Sequence, residues 1–266
     1  MPHELLRGAR PAAVEVRRAA GFEWRLAWQP RRRRLSLLLA LLPAFLSVLA
    51  IVLKLSGIVV VQGTDALAHL VATLYLALLV VILPLLYGTQ LVAQEAEART
   101  LVFLLVRPLS RGSLLLGKFL GSWAACSVQL IASLLLTTLL WLGSDHFRDA
   151  APALARLPLF ALTLALGALA YGALFTLVGL VFARPALVGL LLALGWENAI
   201  PFLPGWIKTL TVRHHLVAFL PADALPPGMR TALAPPPWPA GLAWLLGGAV
   251  VALAVSMWLF ARRDYP

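Results

Sequence analysis

Five long apolar runs divide the chain, and no other feature restricts its fold as strongly. They occupy residues 35–53, about 66–87, 119–142, 157–182 and 240–261. A helix of about 20 apolar residues crosses roughly 30 Å of hydrocarbon, so each run is long enough to span a membrane. Only 12% of the residues are charged, against about 25% in a soluble domain. The sequence therefore predicts an all-α integral membrane protein.

A sixth run begins at Ala186 and is weaker, because Glu197 and two prolines follow its strongly apolar part. We expect it to continue to about residue 203 and to span, which places both termini on one side. Most of the 22 lysines and arginines then fall on that side, which the positive-inside rule identifies as the cytoplasm. We therefore expect one transmembrane domain of six helices over residues 35–262, with a long outer segment at about 204–239.

The net charge of +11 is concentrated in short stretches between the apolar runs. In a soluble protein such a charge would indicate nucleic-acid binding. At the ends of membrane spans it favours membrane lipid as the partner instead, and we predict no nucleic-acid partner.

The N-terminal segment, residues 1–34, is predicted to lie on the cytoplasmic membrane surface. Residues 12–29, AAVEVRRAAGFEWRLAWQ, place aromatic side chains among arginines, a pattern typical of an amphipathic helix in the lipid interface. The basic run that precedes the first span is a predicted membrane-interface anchor: Arg31, Arg32, Arg33 and Arg34. A plain polybasic attachment to anionic lipid explains these residues equally well, and the two interpretations are compatible.

Residues Gly112 to Lys118 spell G-x-x-x-x-G-K, one residue short of a phosphate-binding loop. A working loop needs a strand before it and a Ser or Thr after the lysine to hold Mg²⁺. Here Phe119 follows the lysine and leucines fill the loop. A helix that starts near Ser110, a residue able to act as its N-cap, explains the stretch better. Lys118 is then a predicted interface residue whose stem reaches the membrane surface.

The longer stretch 94–121, QEAEARTLVFLLVRPLSRGSLLLGKFLG, resembles the cytoplasmic signature of the ABC transporter type-2 permease family. The shared pattern is two acidic residues, a Thr-Leu step, an apolar run, Pro-x-Ser-Arg and a lysine. It falls on Glu95, Glu97, Thr100, Leu101, Pro108, Ser110, Arg111 and Lys118. Arg99 stands where many members have glycine, and we include it among the predicted coupling residues. The Leu-Gly-Lys-Phe-Leu-Gly part is also similar to the branch that contains the permease of nitrous-oxide-reductase copper-site maturation.

The resemblance implies that residues 94–111 form a cytoplasmic coupling helix between the second and third spans. This helix would dock on a separate ABC ATPase subunit that binds ATP and Mg²⁺, while this chain binds no cofactor and is not an enzyme. A second copy or a related permease would complete a transporter of the cell inner membrane, with export as the expected direction. The residues alone also indicate an interface, because charges surround an apolar run at the membrane face. A helix lying in the lipid interface is the alternative.

Several histidines and carboxylates fall on the predicted outer side: Asp65, His69, Asp145, His146, Asp149, Glu197, His214 and His215. Their spacing matches no metal signature, so we predict a structural or surface role and no metal site. Glu197 is singled out as a possible pathway or outer-gate residue, because an ionisable group at membrane depth is a functional candidate by default. The alternative is a helix-end carboxylate that reaches the outer interface.

Three glycines, Gly167, Gly172 and Gly179, give the fourth span a small-residue face. Such faces let helices pack closely, either at a dimer seam or inside one chain.

Two other functions stay open from the sequence. The chain could be a membrane enzyme on lipid-linked substrates, using Asp145, His146, His214 or His215. It could also be a permease-like scaffold that binds an accessory protein for outer-face metalloenzyme maturation. Neither function requires transport driven by ATP, and the spans do not identify a substrate.

Overall fold

The computed structural model describes residues 12–58, 63–91, 111–145, 150–200, 206–221, 224–225 and 234–262. Within these ranges the regular elements are all helical, which confirms the all-α prediction. In chain order the α-helices are α1 (Ala12–Ala27), α2 (Pro30–Leu55), α3 (Gly63–Leu70), α4 (Val80–Gly88), α5 (Arg111–Ser144), α6 (Ala150–Val181), α7 (Pro185–Leu191), α8 (Glu197–Ala199), α9 (Val212–Leu216) and α10 (Trp238–Arg262). Two π-helical segments, π1 (Val71–Leu79) and π2 (Leu192–Trp196), join α3 to α4 and α7 to α8. Short 3₁₀ turns, Trp206–Leu210 and Val217–Phe219, flank α9.

Five helical stretches in the described part of the chain are long and apolar enough to cross a membrane. They are Arg33–Leu55, Asp65–Gly88, Arg111–Ser144, Ala150–Val181 and Trp238–Arg262. A helix bonds its own backbone N–H and C=O groups, which hydrocarbon cannot do. These stretches confirm the five apolar runs predicted to span.

The sixth apolar helix is shorter than the other five and covers Pro185–Trp196. It starts at a proline, whose fixed φ suits the first helical position. Its path continues through α8 to Ala199, and at 1.5 Å per residue such a path reaches roughly 22 Å. Because this is less than the hydrocarbon thickness, the sixth crossing stays a prediction.

The centre of the fold is formed by α5 and α6. Helix α5 packs against α1, α2, α4 and α6, while α6 also packs against α4, α7 and α10. Large side chains of α5 and α6 are fully buried, among them Phe119, Phe160 and Phe175. The spans of α2 and α10 are far less buried, at 28% and 17% of their apolar windows. Their apolar faces are therefore open to lipid or to another subunit.

Helix α1 rests on α5 through two glycines that are four residues apart. A Cβ atom added at Gly117 would lie 2.5 Å from the Ala19 Cβ, and one at Gly121 would lie 2.5 Å from the Ala20 carbonyl oxygen. Only glycine permits this approach, as in small-xxx-small helix contacts. The predicted N-terminal helix is confirmed, and its protein-facing side buries Glu15 and Glu23. Its attachment to the lipid interface stays a prediction.

Candidate functional site

The predicted coupling segment falls almost entirely outside the described residues. This applies to Glu95, Glu97, Arg99, Thr100, Leu101, Pro108 and Ser110. Arg111 is described and is the first residue of α5. Its Nη1 donates to the Ala261 carbonyl oxygen of α10 at 3.0 Å, where the last carbonyls of a helix lack partners of their own. Arg111 thus joins the start of the third span to the end of the last one.

The near match to a phosphate-binding loop lies inside α5. Gly117 and Lys118 fall in the second turn of this helix, where backbone N–H groups bond to the preceding turn and cannot cradle a phosphate. Lys118 is buried, and its Nζ donates to the Leu91 carbonyl oxygen at 2.7 Å. The glycine serves the contact with α1, and the lysine binds the chain just beyond α4. The helical interpretation of the stretch is confirmed, while anchoring by Lys118 at the membrane surface is untested.

The predicted basic anchor begins α2. The side chains of Arg33 and Arg34 are exposed, whereas those of Arg31 and Arg32 lie outside the described atoms. Exposed guanidinium groups at this helix end are available to lipid phosphates. Their role as an anchor stays a prediction.

Glu197 is buried and binds the start of α9. The side chain is 5% exposed, with Oε1 accepting from the Val212 N–H at 3.0 Å and Oε2 from the Arg213 N–H at 3.2 Å. The first N–H groups of a helix lack partners within the helix, and a carboxylate there is favoured by the helix dipole. The Thr211 hydroxyl adds a cap by accepting from the His214 N–H at 3.3 Å. Glu197 thus holds the start of α9 inside the fold, and its role as a pathway or outer-gate residue stays a prediction, as does the alternative of a carboxylate at the outer interface.

Arg213 extends this contact to the second span. It is buried, and its Nη2 donates to the Ala72 carbonyl oxygen of π1 at 3.5 Å. Its positive charge also interacts with Glu197 and Tyr171. Arg213 was not among the sequence-predicted site residues. Its sequence position, in a segment predicted to be exposed on the outer side, gave no sign of burial.

A cavity of about 250 Å³ lies beside Glu197, between α6, π2 and α10. Its wall is mostly apolar and includes Phe175, Trp196 and Trp244. Tyr171 also lines it and is 1% exposed. The Tyr171 hydroxyl lies beside the Glu197 carboxylate and interacts with it. The cavity thus joins an apolar surface to one polar corner.

The two histidines of the predicted outer segment are buried in the fold. The His215 Nε2 lies 2.8 Å from the Thr209 carbonyl oxygen, so this nitrogen carries the proton. Its ring stacks on Trp244, with ring centroids 4.2 Å apart. Burial lowers the pKa of His215, and the hydrogen bond to Thr209 opposes the shift. The His215 ring therefore packs α9 against α10, and the structural role expected of the outer histidines stays a prediction.

No metal centre is formed by the residues that the structure describes. Nowhere among them do three or more His, Cys, Asp or Glu side chains come together as a possible ligand set. Asp145 forms an ion pair with Lys54 instead. His146 and Asp149 lie outside the described ranges.

A known protein family matches more than half of the chain. The profile described as ABC-2 family transporter protein matches residues 48–203, more than half of the 266-residue chain. The match contains the predicted coupling segment, the central helices α5 and α6, and Glu197. No curated protein matches the chain, and the narrower likeness to the nitrous-oxide-reductase maturation branch stays a prediction. The chain therefore belongs to the ABC-2 transporter family.

Proposed function

We propose that this chain is the permease subunit of an ABC exporter in the cell inner membrane. A separate ATPase subunit would drive it, and a second copy or a related permease would complete the membrane part. The match to the ABC-2 transporter family over residues 48–203 carries this proposal. The apolar helices support it, because they fit a multi-pass membrane subunit.

The need for a separate ATPase is supported by the helical state of the Gly-Lys stretch. Since Gly117 and Lys118 are within α5, ATP and Mg²⁺ would bind in the partner chain. Segment 94–111 would dock on that partner from the cytoplasmic side. Both termini would lie on the same side of the membrane. The excess of basic residues on this side supports the orientation.

A second permease is supported by the open apolar faces of α2 and α10. Leu38 of α2 is 69% exposed and Val250 of α10 is 64% exposed. Apolar patches of this kind suit lipid or another membrane subunit. The enzyme alternative has less support, because His214 and His215 are buried and the His215 ring stacks on Trp244 of α10, so that neither is open to a lipid-linked substrate.

Co-purification tests the partnership. The wild-type chain and a Glu95→Arg/Glu97→Arg variant are purified in mild detergent, and the bound proteins are identified by mass spectrometry. We expect a P-loop ATPase with the wild-type chain and its loss from the variant, because reversed charges would oppose docking. An exposed carboxylate at the predicted outer end supplies the control: Asp65→Arg should retain the ATPase.

The proposal fails if no ATPase accompanies the wild-type chain. Equal recovery of the ATPase with the double variant would reject segment 94–111 as the docking element. Elution volume and thermal midpoint are measured for all three chains, so that misfolding is recognised separately from lost docking.

A further inference from the structure

The N-terminal helix α1 separates its positive charges from its negative ones. Both of its carboxylates are buried: Glu15 is 7% exposed and Glu23 is 1% exposed. Its three arginines, Arg17, Arg18 and Arg25, are exposed instead. The outward face of α1 therefore presents three positive charges and no carboxylate of the same helix. Charge complementarity makes a negatively charged molecule the partner of this face.

Helix α1 meets both of its neighbours where their apolar runs begin. It packs on α5 at Gly117 and Gly121, and the apolar run of α5 covers residues 119–142. Two residues separate α1 from α2, whose candidate span begins at Arg33. When these runs cross a membrane, α1 lies at the edge of the hydrocarbon, beside the phosphates of the lipid head groups.

A glycine opens the middle of the outward face. Gly21 is exposed, and a Cβ atom added to it would meet none of the described atoms within 4 Å. Packing within the described part of the chain therefore does not require glycine here, although glycine inside a helix is less stable than alanine. Close approach of a ligand to the backbone is a use that glycine permits. Arg17, Arg18 and Arg25 lie on the turns just before and just after Gly21.

The side chains around Gly21 match the two parts of an acidic phospholipid. Guanidinium groups bind a phosphate through paired hydrogen bonds. Helical side chains lean toward the N-terminus of their helix, so that Arg25 extends back over Gly21. Phe22 is 51% exposed beside them, and an aromatic ring at this depth suits the boundary of the acyl chains. A free phosphate would leave this ring in water, whereas a lipid contacts both the ring and the arginines.

We propose that the outward face of α1 binds an acidic phospholipid, with the lipid phosphate over Gly21 between Arg18 and Arg25 and an acyl chain against Phe22. This goes beyond a helix that lies in the lipid interface, because it assigns one class of lipid and one place on the helix. The inference does not require the proposed transport function, since binding needs only the membrane.

Native mass spectrometry of the full chain tests the lipid class. The chain is purified in mild detergent and titrated with phosphatidylglycerol or with phosphatidylcholine, and the bound lipids are counted at each concentration. We expect phosphatidylglycerol to bind about tenfold more tightly, because its head group carries a net negative charge and that of phosphatidylcholine does not. Glycerol phosphate at the same concentration should not displace the lipid, because it has no acyl chains.

Substitutions of equal charge separate this site from general attraction to a basic protein. Arg18→Gln and Arg25→Gln should each weaken the binding of phosphatidylglycerol about fivefold. Arg184→Gln is the matched control, because Arg184 is also exposed but lies at the start of α7. It should bind the lipid like the wild-type chain. Equal losses in Arg184→Gln and Arg25→Gln would overturn the local site.

Two substitutions at Gly21 test the place of the phosphate. Gly21→Leu keeps every charge and fills the space between the arginines, so it should weaken lipid binding about as much as the loss of one arginine. Gly21→Ala is the matched control, because alanine and leucine both favour a helix over glycine and alanine adds only a methyl group. Affinity of Gly21→Leu equal to that of the wild-type chain would overturn the placement over Gly21. Thermal midpoints without added lipid identify any variant that misfolds.

The proposal is overturned if phosphatidylglycerol and phosphatidylcholine bind equally well, or if glycerol phosphate displaces the lipid. An acidic surface of the proposed ATPase subunit is the other candidate occupant of this face. An Arg18→Gln/Arg25→Gln chain that loses the ATPase but binds phosphatidylglycerol like the wild type would assign the face to that subunit and overturn the lipid site.

Discussion

The contacts that α2, π1 and α4 make with α5 differ from the contact between α6 and α10 in how their polar side chains are bonded. Between π1 and α5, the Tyr75 hydroxyl lies 2.9 Å from both the Ser133 and Thr137 hydroxyls. The Gln129 amide donates to the Ser36 hydroxyl at 3.2 Å and to the Tyr87 hydroxyl at 3.0 Å. Hydrogen bonds of this type therefore connect α2, π1, α4 and α5 within the apolar layer.

An ion pair lies at the predicted outer end of the contact between α2 and α5. Lys54 of α2 pairs with Asp145 just beyond α5, and its Nζ lies 5.9 Å from the centre of the Trp141 ring. The Trp141 Nε1 in turn donates to the Ser47 hydroxyl at 3.2 Å. The α2–α5 side is thus bonded along most of its length.

Between α6 and α10 the packing leaves a cavity whose wall is mostly apolar. The Tyr171 hydroxyl in this wall interacts with the Glu197 carboxylate. The comparison indicates helices held together by hydrogen bonds on one side of the α5–α6 pair and looser packing on the other. This division suits a transporter, which must hold its helices together while part of the bundle opens.

Substitution of Glu197 should lower the thermal midpoint more than the other changes, because Glu197 borders the loosely packed region and holds α9. Glu197→Ala leaves two buried N–H groups at the start of α9 without their acceptor. A buried donor left unsatisfied costs about 1–3 kcal/mol, so we expect a clear drop in the thermal midpoint. Undocking of α9 should also expose the Arg213 peptide bond to trypsin.

Glu197→Gln supplies the matched control, since it keeps one acceptor oxygen and removes the charge. Its stability should lie between those of the wild-type chain and the alanine variant. A Glu197→Ala chain as stable and as trypsin-resistant as the wild type would contradict the cap.

A glycine-to-leucine substitution should have different effects on stability at the contact of α5 with α1 and beside the cavity. Gly117→Leu forces a side chain into the backbone of α1, and overpacking of this kind costs about 1–3 kcal/mol or more. Gly248→Leu enters open space and should leave the free energy of unfolding unchanged or raise it. Thermal midpoints in one detergent compare the two. Gly112→Leu serves as a tolerated change on α5, because within 4 Å a Cβ atom there would meet, among the described residues, only the Met257 sulfur at 3.9 Å. Equal losses of thermal midpoint in Gly117→Leu and Gly248→Leu would contradict the difference in packing between the two positions.

A tyrosine hydroxyl tests the hydrogen-bonded side further. Tyr75→Phe removes two hydrogen bonds between helices, and such bonds in membrane proteins average about 0.6 kcal/mol with a maximum near 1.7 kcal/mol. Unfolding measured by circular dichroism should therefore give Tyr75→Phe a lower free energy of unfolding than the wild-type chain. A Tyr75→Phe chain as stable as the wild type would contradict the assignment of this side as hydrogen-bonded.

The smallest expected effect is a pH dependence at His215. Burial holds the pKa of this imidazole below its ordinary value of 6.5, so the folded state favours the neutral ring. The stabilisation is complete above pH 6.5 and is lost as the pH falls below it, because the unfolded chain binds the proton first. The thermal midpoint of the wild-type chain should fall more between about pH 8 and about pH 5.5 than that of His215→Gln. Parallel curves for the two chains would exclude this contribution.

The spans could be predicted from the sequence because the bilayer fixes a minimum length for any apolar helix. The 119–142 run is part of α5 and the 240–261 run is part of α10. The Gly-Lys stretch was also predictable as helix, since leucines filled the place of a phosphate loop. The spacing of Gly117 and Gly121 indicates a close helix contact, although it does not identify α1 as the partner.

The surroundings of Glu197 could not be predicted in the same way. Its contacts join residues from α6, α8 and α9, and no periodicity relates Tyr171 to Glu197 or to Arg213. The buried histidines were read as outer-side residues, because a polar segment between two spans normally lies in water. Such contacts arise from how the helices pack, which hydropathy along the chain does not encode.

A comparison of ATP hydrolysis by this chain alone and by its complex with the ATPase subunit tests the central claim most directly. The chain is purified alone and with its co-expressed ATPase, and hydrolysis is measured in lipid nanodiscs. We predict that hydrolysis requires the ATPase, that Lys118→Ala in this chain leaves the nucleotide affinity of the complex unchanged, and that Glu95→Arg/Glu97→Arg uncouples the two subunits. Hydrolysis by the isolated chain that disappears with Lys118→Ala would contradict the account, because it would place the ATP site in α5 itself.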